Sequence, residues 1–198
     1  MKSSKHNRLN AIEAAIRHAH DYSMTHCGLA LNKMPEYFLG VQIGQHMIAE
    51  FDNFKVRFEM SVKELAEQAG FNSAELSIAR DNGRFDVVLL TKSKCVPAHV
   101  IEIKRGIKAE SMLNDIVRLA DICRHTHAGS RLETNYFVTV TARSEKVVNK
   151  RVEMFSQTDG NYQVPKDIQI NEPRVFQLEA FDEKYITAAI YEVTYKYE

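Results

Sequence analysis

An α/β domain, with a central mixed β-sheet flanked by helices, is the fold class this sequence predicts, and three observations predict it. Two apolar runs, RFDVVLL and AHVIEIK, follow each other across a short polar loop and read as adjacent strands buried on both faces. Helix-periodic segments flank them on either side. The chain has 198 residues, 44% of them hydrophobic, with only 8 Gly and 4 Pro, enough for one sizeable core, so residues 1–198 are read as one domain.

From Leu9 to about Ala30, apolar residues at Leu9, Ile12, Ile16 and Ala19 keep helical spacing, giving an N-terminal helix within 7–30. Pro35 suits a helix's first turn, and Phe38, Ile43, Met47 and Phe51 continue the periodicity over 35–51. FKVRFEMSV then alternates as a half-buried strand does, and a short helix, KELAEQAG, stops at Gly70. Asp81-Asn82-Gly83 is a turn signal before the two central strands. Residues 109–125 carry Met112, Ile116, Leu119 and Cys123 on one helical stripe, NYFVTVTA is a strand, and Ser144 is placed to cap a helix to about Phe155. A polar, turn-rich stretch (QTDGNYQVPKDIQINEP) precedes a strand at Arg174–Leu178 and a last alternating segment with Tyr191, Val193, Tyr195 and Tyr197 on one face, so C-terminal strands are expected within 174–197. A sheet of about four to six strands covered by the 35–51 and 109–125 helices follows from this order.

No apolar run of about 18 residues exists to span a membrane, and the chain opens on MKSSKHNRLN rather than a signal peptide's apolar segment, so a soluble, cytoplasmic protein is expected. Cys27, Cys95 and Cys123 lie far apart without a C-x-x-C pair, which argues for reduced thiols. Because 26 basic and 26 acidic side chains cancel, any polyanion must be recognised by a local patch rather than by the field of the whole molecule. P-loop, dinucleotide, G-x-S-x-G and HExxH patterns are absent, which excludes the common NTPases, dehydrogenases, serine hydrolases and zinc proteases.

Chemistry concentrates in the central strands. Glu102 and Lys104 are two apart in a strand otherwise made of Val100, Ile101 and Ile103, so they share one face, and Asp86 sits in the preceding strand between Phe85 and Val87. Unpaired charges buried there would each cost several kcal/mol, so they need a partner or a cation. Asp86 and Glu102, with the backbone carbonyl of Ile103, form a donor set suited to Mg²⁺, for which Mn²⁺ can substitute, and the metal would activate a water. Lys104 beside the metal would orient that water or offset charge developing on the phosphorane. The competing structural reading is an internal salt-bridged group in which Lys104 neutralises both carboxylates.

Gly83-Arg84-Phe85-Asp86-Val87-Val88-Leu89, followed by Glu102-Ile103-Lys104-Arg105-Gly106, resembles the PD-(D/E)XK nuclease superfamily. The resemblance covers roughly Pro35 to Ala142, and Phe85 stands where the family motif often has proline. It implies a restriction-endonuclease-like core over about 35–142 and metal-dependent cleavage of DNA that leaves 5′-phosphate and 3′-hydroxyl ends. It also implies an additional metal-proximal glutamate from the preceding helix, best matched by Glu36 and next by Glu50, although a helix N-terminus explains Glu36 equally well. From the helix after the ExK strand, Ser111, Asp115 and Arg118 could face the site, and Arg84, Arg105, Lys108 and Arg118 are candidate nucleic-acid contacts.

Other signals compete with this reading. SVKELAEQAGFNSAELS resembles a repressor helix-turn-helix over about 17 residues, which supports the alternative of a catalytically inactive nucleic-acid-binding or regulatory module. Cys123, His125 and His127 are zinc-type ligands without the paired spacing of a structural site. His18, His20 and His26 point in different directions around the first helix and are expected on the surface. Cutting both strands of a duplex takes two centres, which leaves open a homodimer or a nuclease subunit of a larger defence or toxin complex; the Tyr191–Tyr197 edge could pair with another chain, although an edge strand internal to the fold accounts for it better.

Overall fold

The structure, a computed structural model, describes residues 2–76, 83–156, 166–181 and 184–196. Ser4 caps the first helix, α1 (Lys5–Tyr22), by accepting from the Asn7 N–H. The helix therefore starts earlier than its apolar stripe indicates. It closes through a π-type turn at Ser23–Cys27, and Gly28, at φ 62°, ends it in the left-handed region before residue 30. Pro35 precedes α2 (Glu36–Glu50), and β1 follows at Phe54–Ser61. The Ser61 hydroxyl accepts from the Glu64 N–H and starts α3 (Val62–Ala69), so the strand alternation stops one residue short of Val62. Gly70 ends α3 and a single turn at Ser73–Glu75 follows; among the described residues there is no second helix here to complete a helix-turn-helix. Asp81 and Asn82 of the expected turn lie outside the described residues.

The remaining elements are β2 (Arg84–Thr91), β3 (Pro97–Arg105), α4 (Ala109–His125), β4 (Thr134–Thr141), α5 (Glu145–Ser156), β5 (Ile168–Ile170), β6 (Arg174–Glu179) and β7 (Tyr185–Tyr195). They form a mixed seven-stranded sheet in the order β1-β2-β3-β4-β7, with β5 and β6 both pairing with β7. β1 and β2 are antiparallel, as are β2 and β3; β3 and β4 are parallel, and β4 is antiparallel to β7. Two expectations are corrected. Ile168–Ile170, inside the stretch read as polar and turn-rich, is a strand because its backbone pairs with Val193–Tyr195. β7 is not an edge: it is paired on both sides and Tyr191 and Val193 are fully buried, so this face cannot pair with another chain. Tyr197 lies outside the described residues.

Helices cover both faces. On one, Ile12 and Ile16 of α1 and Ile43 and Met47 of α2 pack with Val87, Ile101, Ile103 and Val138. On the other, Leu65 of α3 and Ile116 and Leu119 of α4 pack with Phe85, Val100, Phe137 and Tyr191. His20, expected on the surface, is buried because its Nε2 lies 2.6 Å from the Glu179 carbonyl, while His18 and His26 are exposed. No described helix is long and apolar enough to cross a membrane.

α2 approaches the sheet through two glycines of different tolerance. A Cβ at Gly44 would meet the Phe58 ring at 2.5 Å and Val56 Cγ2 at 2.9 Å, whereas at Gly40 it would meet Ile103 and Val87 methyls at an ordinary 3.5 Å. Gly44→Ala is therefore expected to destabilise the fold by about 1–3 kcal/mol, and Gly40→Ala to leave it unchanged or stabilise it by up to about 1 kcal/mol. Urea unfolding midpoints of the two variants check this; equal midpoints would mean that α2 does not lie so close to β1.

Candidate active site

The sheet opens where Asp86 and Glu102 meet. Pairing of β2 with β3 runs through Leu89↔His99, Val88↔Val100 and Val87↔Ile101 and ends there. Side chains take over beyond it: the Ile103 N–H donates to Asp86 Oδ2 at 2.7 Å, and the Asp86 N–H donates to Glu102 Oε2 at 3.4 Å. On the other flank, Phe58↔Val87 and Met60↔Phe85 pair, while Glu59 between them adopts φ 51° and drops out of the ladder. A non-glycine residue in the left-handed region is uncommon in a strand and carries strain. Its position beside Asp86, whose carboxyl its charge raises, was not foreseeable from a residue that reads as one more solvent-facing member of an alternating strand.

Glu102 and Lys104 project with Val100 toward α4, as their spacing predicts. There Asp115 and Arg118, one turn apart, meet them. Lys104 Nζ is 3.2 Å from Asp115 Oδ2, Arg118 Nη1 is 3.0 Å from Glu102 Oε1, and the two α4 side chains are 3.7 Å apart. Arg118 also donates to the Arg84 carbonyl at 2.7 Å and lies over the Phe85 ring, so it is held inward. Ser111 takes no part in these ion pairs. Glu102 Oε1 and Asp115 Oδ2 are themselves buried, and these ion pairs are the contacts that meet them.

Burial, opposed by the hydrogen bonds with Ile103 and Glu102 and helped by the charges of Glu59 and Glu36, pushes the Asp86 carboxyl up to about 6. Glu102 is raised well above the carboxylate range by burial and by Asp86, with Arg118 opposing. Burial also raises Asp115, opposed by Lys104. Lys104 is lowered by its own burial, but Asp115, Glu36 and Asp86 outweigh this and hold its ammonium above the ordinary value.

Glu36 stands at the rim. Its Oε1 accepts from the Arg105 N–H at 2.8 Å, so it does not join the two inner carboxylates, and among the described residues no group of three or more His, Cys, Asp or Glu is gathered for a metal. Glu50 lies at the far end of α2. Arg84, Arg105 and Lys108 are on the exposed side: Arg84 Nη1 donates to the Glu59 carbonyl, Arg105 Nη1 reaches the Lys33 carbonyl at 3.5 Å, and Lys108 pairs with Glu110. The donor set in the sheet is thus two carboxylates, Asp86 and Glu102, with Ile103 between Glu102 and Lys104. That set fits Mg²⁺, which takes one or two carboxylates and leaves its other positions to water and phosphate. Glu102 Oε1, buried and met by Arg118 Nη1 at 3.0 Å, is an oxygen that such an ion would share with that guanidinium.

Compared with protein-family models, with curated proteins and with solved structures, the chain matches none.

Asp86 binds its proton more tightly in the folded protein than in the unfolded chain, where its value is near 3.8. Its burial therefore costs nothing below about pH 4, and the full cost is reached above about pH 6, so in chelator this group makes stability fall as pH rises between them. Glu102, raised in the same direction, extends the decline upward. Asp86→Asn keeps an acceptor for the Ile103 N–H and is expected to stabilise the fold by on the order of 1–3 kcal/mol at pH 7.5 and by little at pH 4. Chemical unfolding in EDTA at the two pH values checks the sign; an equal shift at both would mean that Asp86 is not the titrating group.

Proposed function

We propose that this chain is a metal-dependent nuclease of the PD-(D/E)XK type, hydrolysing phosphodiester bonds in DNA from a restriction-endonuclease-like core over about residues 35–142. One observation carries the reading: the half-buried Asp86 and the buried Glu102 side by side where β2 and β3 part, with the Lys104 ammonium on the Glu102 face of the same strand. The order α2-β1-α3-β2-β3-α4-β4, in which three antiparallel strands, with α3 inserted between the first two, are followed by a helical crossover to a parallel strand, supports it.

Asp86 and Glu102 are the residues that would hold the ion, with the Ile103 carbonyl as a third donor. A bound Mg²⁺, or Mn²⁺ in its place, supplies polarisation of the phosphoryl oxygen and a water of lowered pKa. The Ile103 amide orients the Asp86 carboxylate, and Arg118 holds Glu102. Lys104, kept charged by Asp115 and Glu36, is the group that would orient the attacking water or offset charge on the phosphorane. Arg84, Arg105 and Lys108 lie on the exposed side where a phosphate backbone would pass.

The ion pairs Arg118–Glu102 and Lys104–Asp115 favour a second reading, a non-catalytic nucleic-acid-binding or regulatory module whose inner charges satisfy one another. Incubation with supercoiled plasmid and with single-stranded DNA, in Mg²⁺, Mn²⁺ or EDTA, separates the two. The nuclease reading expects cutting that needs metal and falls at least about 100-fold in both Asp86→Ala and Lys104→Ala. No cutting of either substrate, together with no Mg²⁺ heat in calorimetry, would leave the binding module.

A further inference from the structure

A second site lies at the other end of β3 and on the opposite face. His99 faces α1, whereas Val100 and Glu102 face α4, and the His99 ring packs between Phe54 and Tyr136. It is 2% exposed, and its Nδ1 lies 2.7 Å from the Thr134 carbonyl. A carbonyl only accepts, so Nδ1 carries the hydrogen and Nε2 is left as an acceptor. Nε2 is buried and has no partner. A buried lone pair of this kind calls for a donor.

His99 is among the residues that line a cleft of about 490 Å³, within the range of small-molecule sites. Lys2, Arg8 and Arg131 line the same cleft, against one acid, Asp52. Arg8 is itself buried and fixed: its Nε donates to the Tyr136 hydroxyl at 2.7 Å and its Nη1 to the Ser3 carbonyl. The start of α1, an 18-residue helix with no acidic residue in its first turn, also opens here at Ser4, so the positive end of its dipole has no acidic side chain of its own to answer it.

We infer that this cleft binds a small phosphorylated molecule that also presents a hydroxyl or N–H donor, as nucleotides and sugar phosphates do. The phosphate faces Lys2, Arg131, Arg8 and the α1 N-terminus, and the donor reaches His99 Nε2. Burial, reinforced by the nearby positive charges of Arg8 and Arg131, lowers the imidazole to about 3, so at neutral pH its Nε2 accepts while Nδ1 donates to Thr134. An inorganic anion without a donor would leave Nε2 unanswered, which is why a bifunctional ligand suits the cleft better than a bare anion.

Isothermal titration calorimetry of the full chain in EDTA tests this independently of any nuclease activity, with adenosine monophosphate, ribose 5-phosphate and adenosine as probes. Heat with one or both phosphorylated probes and none with adenosine is expected; a response to the nucleotide alone identifies a base-reading site, and an equal response to both identifies a sugar phosphate. Arg131→Ala, an exposed position, and His99→Phe should each weaken binding by about tenfold or more, and Lys104→Ala should leave it unchanged. If His99→Phe does not fold, Lys2→Ala replaces it. Absence of heat with both phosphorylated probes, binding undiminished by Arg131→Ala, or binding lost in Lys104→Ala would overturn the assignment.

Discussion

The Ile103 N–H donates to the Asp86 carboxylate where an unbroken ladder would offer a backbone carbonyl, and the rest of the candidate centre depends on that exchange. A strand interior has no room for two acidic side chains unless the backbone groups around them are also satisfied. Here the side chains and the backbone satisfy each other: Asp86 accepts from β3, Glu102 accepts from the Asp86 amide, and the two strands part where the carboxylates stand. On the neighbouring strand, Glu59 adopts φ 51° and leaves the ladder beside Asp86.

The surrounding layers hold this opening from both sides. α2 lies close enough on β1 that Gly44 has no space for a methyl, and its first residue, Glu36, ties to the Arg105 amide at the end of β3. α4 supplies Asp115 and Arg118 from one face, so the charges on the sheet are met by charges on a helix that is itself anchored by Ile116 and Leu119 in the core. Rigid elements of this kind position side chains more closely than loops can.

Much of this was legible in the sequence, and the reason is contrast. An acid or lysine inside VVLL or VIEIK stands out because its burial needs an explanation, and α4 matched its predicted span, 109–125, because a long amphipathic stripe is a strong local signal. What was missed depends on long-range pairing. Ile168–Ile170 is a strand only because Val193–Tyr195 lies beside it, and β7 is internal only because β5 and β6 fold back onto it. His20 and His99 read as surface or unremarkable residues, yet both are buried through ring nitrogens close to distant carbonyls. Arg118, read both as facing the site from α4 and as a nucleic-acid contact, takes the first place, held inward by a glutamate sixteen residues earlier in the chain.

The ion pairs do not close the account of charge at the centre. Glu102 has Arg118, Asp115 has Lys104, and Glu36 has a backbone amide, but among the described residues no lysine or arginine nitrogen is in ion-pair contact with Asp86. Three acids set into or against the sheet thus face two cations, and the surplus falls on the carboxylate that burial, Glu59 and Glu36 all push toward its protonated form. A purely structural salt-bridge group has no reason to retain that surplus, since an asparagine at residue 86 would accept the same Ile103 hydrogen bond without it. A cation-binding group does have a reason: the carboxylate without an ion-pair partner is the one that a divalent ion would neutralise.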